Sequence, residues 1–305
     1  MSFQINQENN FNKFNLKKKL GNNKKILSFS SNLYLAYCNL TGFLHTLPDF
    51  YLIGSQKSGT TSLFEYLLQH PSIPSNLSKD IRFFDKYYHK GVNWYRLYFP
   101  INTKKFLKQN SHNNFCIGDG TERYLDYPHT AQRIKKLTPN AKLIILLRDP
   151  ITRTYSHYNF NVNRGIENRS FENAIEYEKK IISLEFEKML KNPSYYSDDY
   201  FRFSYIDRSI YVNKLKRWME VFPKEQFLIL QSEKFFDDPS KVYNQVLKFL
   251  NLPKWDLENY EQFKKQKHIP PKIEKNTLNS LNEIFQLHNR ELFNLLGKKY
   301  EWREL

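Results

Sequence analysis

Short apolar runs alternate with amphipathic stretches along most of the chain. Three of the apolar runs have the length and composition of buried strands: DFYLIG (49–54), AKLIILL (141–147) and QFLILQ (226–231). Each is followed by a stretch that has the apolar spacing of a helix or the start signals of one. Strands that alternate with helices in this way predict a parallel sheet, covered by helices on both faces.

The rest of the pattern adds helices and one further strand. Helices are predicted at about 60–70, 92–100, 128–137, 171–191, 208–221 and 239–250, near 151, and from about 275 onward. CIGDGT (116–121) has the pattern of a short strand and a turn. No internal repeat and no clean linker follows residue 47, so residues 48–305 are predicted to form a single α/β domain.

Residues 1–47 differ in composition from the rest and are predicted to form a leader. Residues 1–25 are rich in Asn, Lys and Gln, which is typical of a disordered arm. The next stretch, 26–44, has the length and the basic flank of a membrane anchor, but Ser, Asn and Thr side chains interrupt it. We therefore expect a cytoplasmic protein, and membrane attachment through residues 26–44 stays open as the alternative.

Composition narrows the classes of function. Hydrophobic residues make up 40% of the 305 positions, which supports a large core. The net charge of +16 favours an anionic partner, although solvated lysine in an Asn- and Lys-rich chain explains the same number. The sequence has no zinc-finger spacing and no RNA-binding signature, so nucleic acid is not expected as the substrate. Cys38 and Cys116 form no metal motif and fit a reducing compartment.

The segment GSQKSGTTS (54–62) joins the first strand to the first helix and is close to a phosphate-binding loop. Free amides at a helix N-terminus attract anions, and the Thr-Thr-Ser run after Gly59 adds hydroxyl donors. A P-loop kinase needs its lysine directly after the second glycine, whereas here the lysine is Lys57. Its position favours a smaller anion, whose leaving oxygen Lys57 can neutralise without a metal. An ordinary strand–turn–helix junction is the alternative.

A second strand end carries the same kind of chemistry. The segment RDPITRTYS (148–156) begins where the strand AKLIILL ends, and α/β sheets bind ligands at the carboxyl ends of strands. Arg148 can bind a phosphate through two parallel hydrogen bonds, and Ser156, about two helical turns later, can donate a third. Asp149 is predicted to cap the helix, and Arg153 to pair with Asp149 or face solvent. A structural salt bridge at Arg148 is the alternative. Two anion sites otherwise predict a ligand with two phosphate groups.

These two segments make the chain resemble the nucleotide-dependent sulfotransferases, whose donor is 3′-phosphoadenosine 5′-phosphosulfate (PAPS). QKSGTTS (56–62) is similar to their 5′-phosphosulfate loop, and RDPITRTYS is similar to their 3′-phosphate motif. Other segments resemble the heparan-sulfate-type carbohydrate sulfotransferases: SKDIRFFDKYYHKGVNWYRLYFP (78–100), IGDGTERYLDYP (117–128) and SIYVNKLKRWMEVFPKEQFLILQSEKFFDDP (209–239). FKKQKHIPP (263–271) is similar to their late loop that closes over the donor. The resemblance spans about 48–300 and implies a P-loop-like fold.

The resemblance implies a reaction and a set of donor contacts. The reaction is transfer of a sulfuryl group, in the EC 2.8.2 class, from PAPS as co-substrate to a hydroxyl of a glycan or small molecule, with no metal. The residues implied to contact the donor are Lys57, Ser58, Gly59, Thr60, Thr61, Ser62, Arg148, Ser156, Tyr211, Lys265 and Lys267. A non-catalytic relative that binds nucleotide or glycan is the alternative function. Whether the acceptor is anionic, and what the oligomeric state is, stay open.

The family's catalytic glutamate corresponds to Asp80 in this chain. Asp80 is implied to take the proton of the acceptor, while Lys57 stabilises the departing phosphate oxygen. The phenylalanines at 83–84 can supply the partly apolar setting that raises the pKa of a carboxyl. Lys79 and Asp119 are implied to lie on the substrate side. A role for Asp80 as a loop or capping residue is the alternative.

The acceptor side departs from the family pattern at further positions. Gly120 stands where the family has lysine, Glu122 where it has proline, and Gln266 where it has the glycine of the closing loop. Asp119, His157 and Glu122 are alternative candidates for the base. The sequence therefore predicts the donor side in more detail than the acceptor side.

Overall fold

Parallel strands and helices alternate along the chain. The computed structural model describes residues 36–101, 116–261 and 273–302. The strands are β1 (Phe50–Gly54), β2 (Gly118–Asp119), β3 (Lys142–Leu147) and β4 (Phe227–Gln231). The helices are α1 (Thr60–Leu67), α2 (Val92–Arg96), α3 (Thr130–Leu137), α4 (Pro150–Val162), α5 (Phe171–Lys191), α6 (Asp198–Phe203), α7 (Tyr211–Met219), α8 (Ser232–Asp237), α9 (Pro239–Leu250) and α10 (Lys275–Leu296).

The described strands form one sheet in the order β2–β1–β3–β4, and each neighbouring pair is parallel. Because side chains alternate across a strand, β1 sends Phe50 and Leu52 to one face and Tyr51 and Ile53 to the other. Side chains of α1 and α9 bury the first face, and side chains of α2, α7 and α10 bury the second. The predicted α/β fold, with helices on both faces of a parallel sheet, is confirmed.

A layer of aromatic rings lies directly after Asp80 in the chain. Phe83 and Tyr95 stack with their ring centroids 4.5 Å apart, and Phe84 meets Tyr95 edge-on at 5.1 Å. Ring pairs of these geometries add about 0.5–1.5 kcal/mol each beyond the burial of their area. Both phenylalanines are fully buried. The apolar setting predicted beside Asp80 is therefore present, and it anchors the backbone that carries this carboxyl.

Two helices of the structure were not predicted, and other helices are shorter than predicted. The short helices α6 and α8 were not predicted, because six residues are too few for a 3.6-residue period to stand out. Helix α2 ends at Arg96, well before the predicted end near residue 100. Helix α7 begins only at Tyr211, because Asp207–Ser209 form a separate 3-10 turn.

The leader overlaps the described residues only at its end. Residues 36–41 are helical and Gly42–Leu44 form a 3-10 turn, while the larger part of the stretch 26–44 lies outside the described ranges. Among the helices of residues 36–101, 116–261 and 273–302, none has the length and hydropathy needed to cross a bilayer. The domain boundary at residue 47 and the cytoplasmic location stay predictions.

Candidate active site

The carboxyl ends of the described strands lie along one edge of the sheet, and the residues that follow them form one cluster. The loop after β1 is held from two sides, because the Ser55 amide donates to the Leu146 carbonyl of β3 at 2.8 Å. From the start of α8, directly after β4, the Ser232 hydroxyl donates to the Ser58 carbonyl at 2.8 Å. This is the edge at which open α/β sheets bind ligands. The segment after β1 (54–62), called the donor loop below, is therefore held by β3 and by the first residue after β4.

The donor loop ends in a turn that only glycine adopts without strain. Gly59 has a φ of 90° and is the N-cap residue of α1. A Cβ at this position would lie 2.9 Å from the Phe236 ring, so the position also lacks space for a side chain. Helix α1 begins directly afterwards at Thr60, and the first amides of a helix have no partner within it. The loop therefore presents helix N-terminal N–H groups and hydroxyls, which are donors of the kind that bind anions.

Lys57 lies in the middle of the donor loop. Its backbone is left-handed, with a φ of 71°, and its ammonium lies 4.6 Å from the centroid of the Phe160 ring on α4. A cation over an aromatic face is stabilised by the ring quadrupole. The ring therefore holds the ammonium against α4.

Arg148 joins the two predicted anion sites. Its Nη1 donates to the Lys57 carbonyl at 2.9 Å, and its guanidinium lies 5.8 Å from the centroid of the Phe236 ring. Burial lowers the pKa of Arg148, and the charge of Glu233 opposes that shift. The Tyr211 hydroxyl donates to the Arg148 carbonyl at 2.9 Å, and burial raises the pKa of Tyr211 to about 12, so the phenol stays a donor. The segments that sequence spacing placed on separate strands are thus in direct contact.

Helix α4 carries the rest of the second site. Its N-terminus is capped as predicted, since the Asp149 carboxylate accepts from the Thr152 amide at 2.7 Å. Ser156 lies one helical turn before Phe160, so it shares the helix face that meets Lys57. The prediction for Arg153 was wrong. Arg153 is fully buried and donates to the Ser209 hydroxyl at 2.7 Å, because its face of α4 packs into the domain.

A hydrogen-bonded turn after β2 fixes the segment that carries Asp80. The Thr121 hydroxyl accepts from the Ile81 amide at 3.1 Å and donates to the Asp119 carboxylate at 2.6 Å. Asp119 also accepts from the Tyr95 hydroxyl at 2.7 Å and is completely buried, and burial raises its pKa to about 6. These bonds place Asp119 behind the turn rather than at its surface. Its geometry favours support of the Asp80 segment over contact with a substrate.

Asp80 is exposed to solvent, yet the protein around it raises the pKa of its carboxyl. Desolvation is the largest cause and the charge of Glu122 the second, while Arg123, Arg82 and Lys79 oppose them. Asp80 is thus open to solvent among the charged side chains of Lys79, Arg82, Glu122 and Arg123, and the region that these residues border is called the cleft below. A raised pKa makes a carboxylate a stronger base.

Cationic and aromatic side chains form one side of this cleft. Tyr196 accepts a hydrogen bond from Arg82, and another from Arg123 at 3.1 Å. Its ring stacks on Phe201 with centroids 4.8 Å apart, and Lys86 lies 4.8 Å from its centroid on α6's side of the cleft. Sequence reasoning missed this group, because Tyr196 lies in a connection between two helices and carries no motif.

A buried ion pair contacts the donor loop through Gln56, and sequence analysis did not predict it. Arg208 is fully buried and donates to the Asp126 carboxylate at 2.8 Å and to the Gln56 side-chain oxygen at 2.5 Å. Gln56 directly precedes Lys57 in the loop. The pair therefore links the loop after β1 to the segment after β2. Arg208 directly precedes the segment 209–239, and no motif of the sequence marked it.

The structure thus brings the donor loop, Arg148, Tyr211 and the Asp80 segment to one edge of the sheet. Lys265 and Lys267 lie outside the described residues. His157 is buried beside Arg153, and burial together with that charge lowers its pKa, so it lacks access to the cleft. Among the described residues, no three His, Cys, Asp or Glu side chains are arranged to hold a metal.

A family model described as a sulfotransferase domain matches residues 47–304. The chain belongs to the sulfotransferase family. It is similar to the membrane-associated sulfotransferase kil1 of Dictyostelium discoideum, at 28% identity over 86% of this chain and 68% of that protein. It is 26% identical to heparan sulfate glucosamine 3-O-sulfotransferase 5 of Homo sapiens, over 86% of this chain and 76% of that protein. The predicted family is therefore confirmed, and the sulfotransferase is an enzyme of the EC 2.8.2 type.

The other relatives fix the extent of the similarity. Heparan sulfate glucosamine 3-O-sulfotransferase 3B1 of Mus musculus is 27% identical over 84% of this chain, which spans 65% of that protein's length. The crystal structure of a sulfotransferase from Alicyclobacillus acidocaldarius superimposes with a TM-score of 0.61, at 24% identity, over 84% of this chain and 98% of that one. The P-loop-like sulfotransferase fold is therefore shared.

Proposed function

We propose that this sulfotransferase moves a sulfuryl group from PAPS to a hydroxyl group of a glycan. The observation that carries the proposal is the hydrogen bond from Arg148 to the Lys57 carbonyl, at 2.9 Å. It puts two anion-binding strand ends side by side, which suits a nucleotide with phosphate groups at two separate positions. The donor supplies the activated sulfuryl group, and the side chains of this chain bind, orient and deprotonate.

The donor loop suits the 5′ end of such a nucleotide. It offers the N-terminal amides of α1, the hydroxyls of Thr60 and Thr61, and the ammonium of Lys57. Arg148 and Ser156 suit the 3′-phosphate, because a guanidinium and a hydroxyl give charge-assisted donors on the adjoining strand end, and Tyr211 supports them through its hydrogen bond to the Arg148 carbonyl.

The reaction needs a base on one side of the sulfur atom and a cation on the other. Asp80 takes the acceptor proton as the acceptor oxygen forms its bond to sulfur. The bond between sulfur and the bridging phosphate oxygen breaks, and its electron pair stays on that oxygen. Lys57 stabilises the charge that develops there. Lys79, which donates to the Thr61 hydroxyl on the first turn of α1 at 3.0 Å, orients the sulfuryl oxygens.

A glycan acceptor is supported by the relatives and by the charge of the chain. Two of the relatives named above act, by their names, on glucosamine in heparan sulfate. In this chain the net charge is +16, and Arg82 and Arg123 border the cleft that holds Asp80. Both features favour a sugar chain with carboxylate or sulfate groups.

The test is a screen of acceptors with PAPS in excess. Glycans of graded charge, from neutral to sulfated, are incubated with the full chain, and products are read by the mass gain of one sulfate. We expect a gain with uronic-acid-containing glycans and release of adenosine 3′,5′-bisphosphate in equal amount. Tight binding of the donor with no sulfated product from any glycan would contradict the proposal.

Replacing Arg148 by alanine should weaken binding of the donor and leave the rate of the chemical step nearly unchanged. The variant loses charge-assisted hydrogen bonds, which are worth about 1.5–3 kcal/mol each, so we expect the donor Kd to rise roughly 10- to 100-fold. The kcat at saturating donor should change much less. Isothermal calorimetry and initial rates check both, with Arg290→Ala as the control, because Arg290 is an exposed arginine on α10. A fall in kcat without a change in Kd would place Arg148 in the chemical step instead.

A further inference from the structure

The carboxylate of Glu122 lies where the donor loop meets the acceptor cleft. Its Oε2 is 3.4 Å from the Lys79 ammonium and 3.5 Å from the Thr60 hydroxyl. The same ammonium donates to the Thr61 hydroxyl at 3.0 Å. Only 20% of the Glu122 side chain and 15% of the Lys79 side chain are exposed, so water screens this pair incompletely. Glu122 thus holds a lysine against the first turn of α1.

The path of Lys79 depends on the missing side chain at Gly120. A Cβ at Gly120 would lie 2.8 Å from the Lys79 Cγ and 2.9 Å from the Phe64 ring. Lys79 therefore crosses directly over Gly120, and any larger residue there would displace it. Gly120 thus leaves space for the aliphatic part of the Lys79 side chain, and Glu122 binds its ammonium group.

Glu122 also lies near the proposed base, because it pairs with Lys79, the residue directly before Asp80 in the chain. The charged groups around Asp80 are Glu122 and Arg123 from the turn after β2, and Lys79, Arg82 and Asp85 from its own segment. The cations favour the ionised form of Asp80, while Glu122 and Asp85 disfavour it. Glu122 is the largest of the charge effects that raise the pKa of Asp80.

We propose that Glu122 is a positioning residue for sulfuryl transfer, whose carboxylate holds Lys79 on the donor loop and acts through space on Asp80. The inference rests on the proposed function. It adds a second carboxylate, Glu122, to the proposed site. The charge of Glu122 makes Asp80 a stronger base, and its pairing with Lys79 reduces the repulsion between Glu122 and the anionic donor.

Carbon-13 NMR of the full chain tests the effect on Asp80 directly. With aspartate labelled at its carboxyl carbon, the Asp80 signal is identified by its loss in Asp80→Asn and is titrated without substrates. Removing a neighbouring negative charge stabilises the ionised carboxylate, so Glu122→Gln should lower the midpoint by about 1 pH unit. Glu122→Asp keeps the charge and should stay closer to the wild type. Glu176→Gln, which removes an exposed charge on α5, should change nothing. An unchanged midpoint in Glu122→Gln would overturn the inference.

Kinetics of the same variants test whether the effect reaches the reaction. The acid limb of the kcat–pH profile should move to lower pH in Glu122→Gln, in step with the NMR midpoint. A double-mutant cycle combines Glu122→Gln with Lys79→Met. The factor by which Lys79→Met changes the donor KM should be smaller by about twofold or more in the Glu122→Gln background than in the wild type. A shifted midpoint with an unmoved limb would refute the role in catalysis. A wild-type chain that transfers no sulfuryl group would contradict the proposed function, and the NMR midpoint would still decide whether Glu122 acts on Asp80.

Discussion

Asp80→Asn should lower kcat by about 10²–10⁴-fold and leave the affinity for the donor nearly unchanged. The amide has almost the shape of the carboxylate, but it cannot accept the acceptor proton. The structure supports this expectation, because Asp80 is open to the cleft and its pKa is raised by desolvation and by Glu122. The backbone around it should stay in place, since Thr121 and the buried rings at 83–84 hold it.

The measurement pairs single-turnover rates with calorimetry of adenosine 3′,5′-bisphosphate. Asp256→Asn is the matched control, because that carboxylate is exposed and pairs only with surface Lys254 among the described contacts. The wild-type rate should fall on the acid side, since a group with a raised pKa is protonated, and lost as a base, as the pH falls through that pKa. Full activity in Asp80→Asn would remove Asp80 as the base and return Glu122 to consideration.

Lys57→Ala should lower kcat by about 10²–10³-fold, with a smaller loss of donor affinity. The departing oxygen gains most of its charge in the transition state, so a cation placed there acts mainly on the rate. The Lys57 ammonium packs on the Phe160 ring of α4, and Lys57 lies two residues before Gly59, the N-cap residue of α1. Its removal leaves the loop itself supported, since the Lys57 carbonyl still accepts from Arg148.

Rates at saturating donor check this expectation, together with the donor Kd. Lys179→Ala serves as the control, because Lys179 is an exposed lysine on α5 that pairs with Glu176. Leaving groups of different acidity sharpen the test, since a better leaving group should lose less from the substitution. A rise in KM with an unchanged kcat would mean that Lys57 only helps to bind the donor.

The donor side was predictable from the sequence because its chemistry follows from local order. A buried strand, a glycine turn and a helix must place backbone amides at one point, and Gly59 and Thr60 do so in the structure. The strand that ends at Leu147 likewise delivers Arg148 to the sheet edge. The sequence predicted an anion site at each of two strand ends. It did not predict the contact between Arg148 and the Lys57 carbonyl, because that contact requires β1 and β3 to be neighbours in the sheet.

The acceptor side was not predictable, because its contacts join residues that are distant in the chain. Tyr196 meets Arg82 across more than a hundred positions. The buried support of the donor loop was missed for the same reason, since Arg208 meets Gln56 across more than a hundred positions as well. Arg153 was also predicted wrongly, because α4 buries it although a charged residue usually pairs nearby or faces solvent. A local sequence pattern does not indicate which helices pack against each other in the folded domain.

Calorimetry with two nucleotides tests the central claim, that neighbouring strand ends hold a bisphosphorylated carrier at both of its phosphate positions. Adenosine 3′,5′-bisphosphate and adenosine 5′-monophosphate are titrated into the wild-type chain under the same salt conditions. The 3′-phosphate should tighten binding roughly 10- to 100-fold through charge-assisted bonds at Arg148. Equal affinity for the two nucleotides would contradict the account.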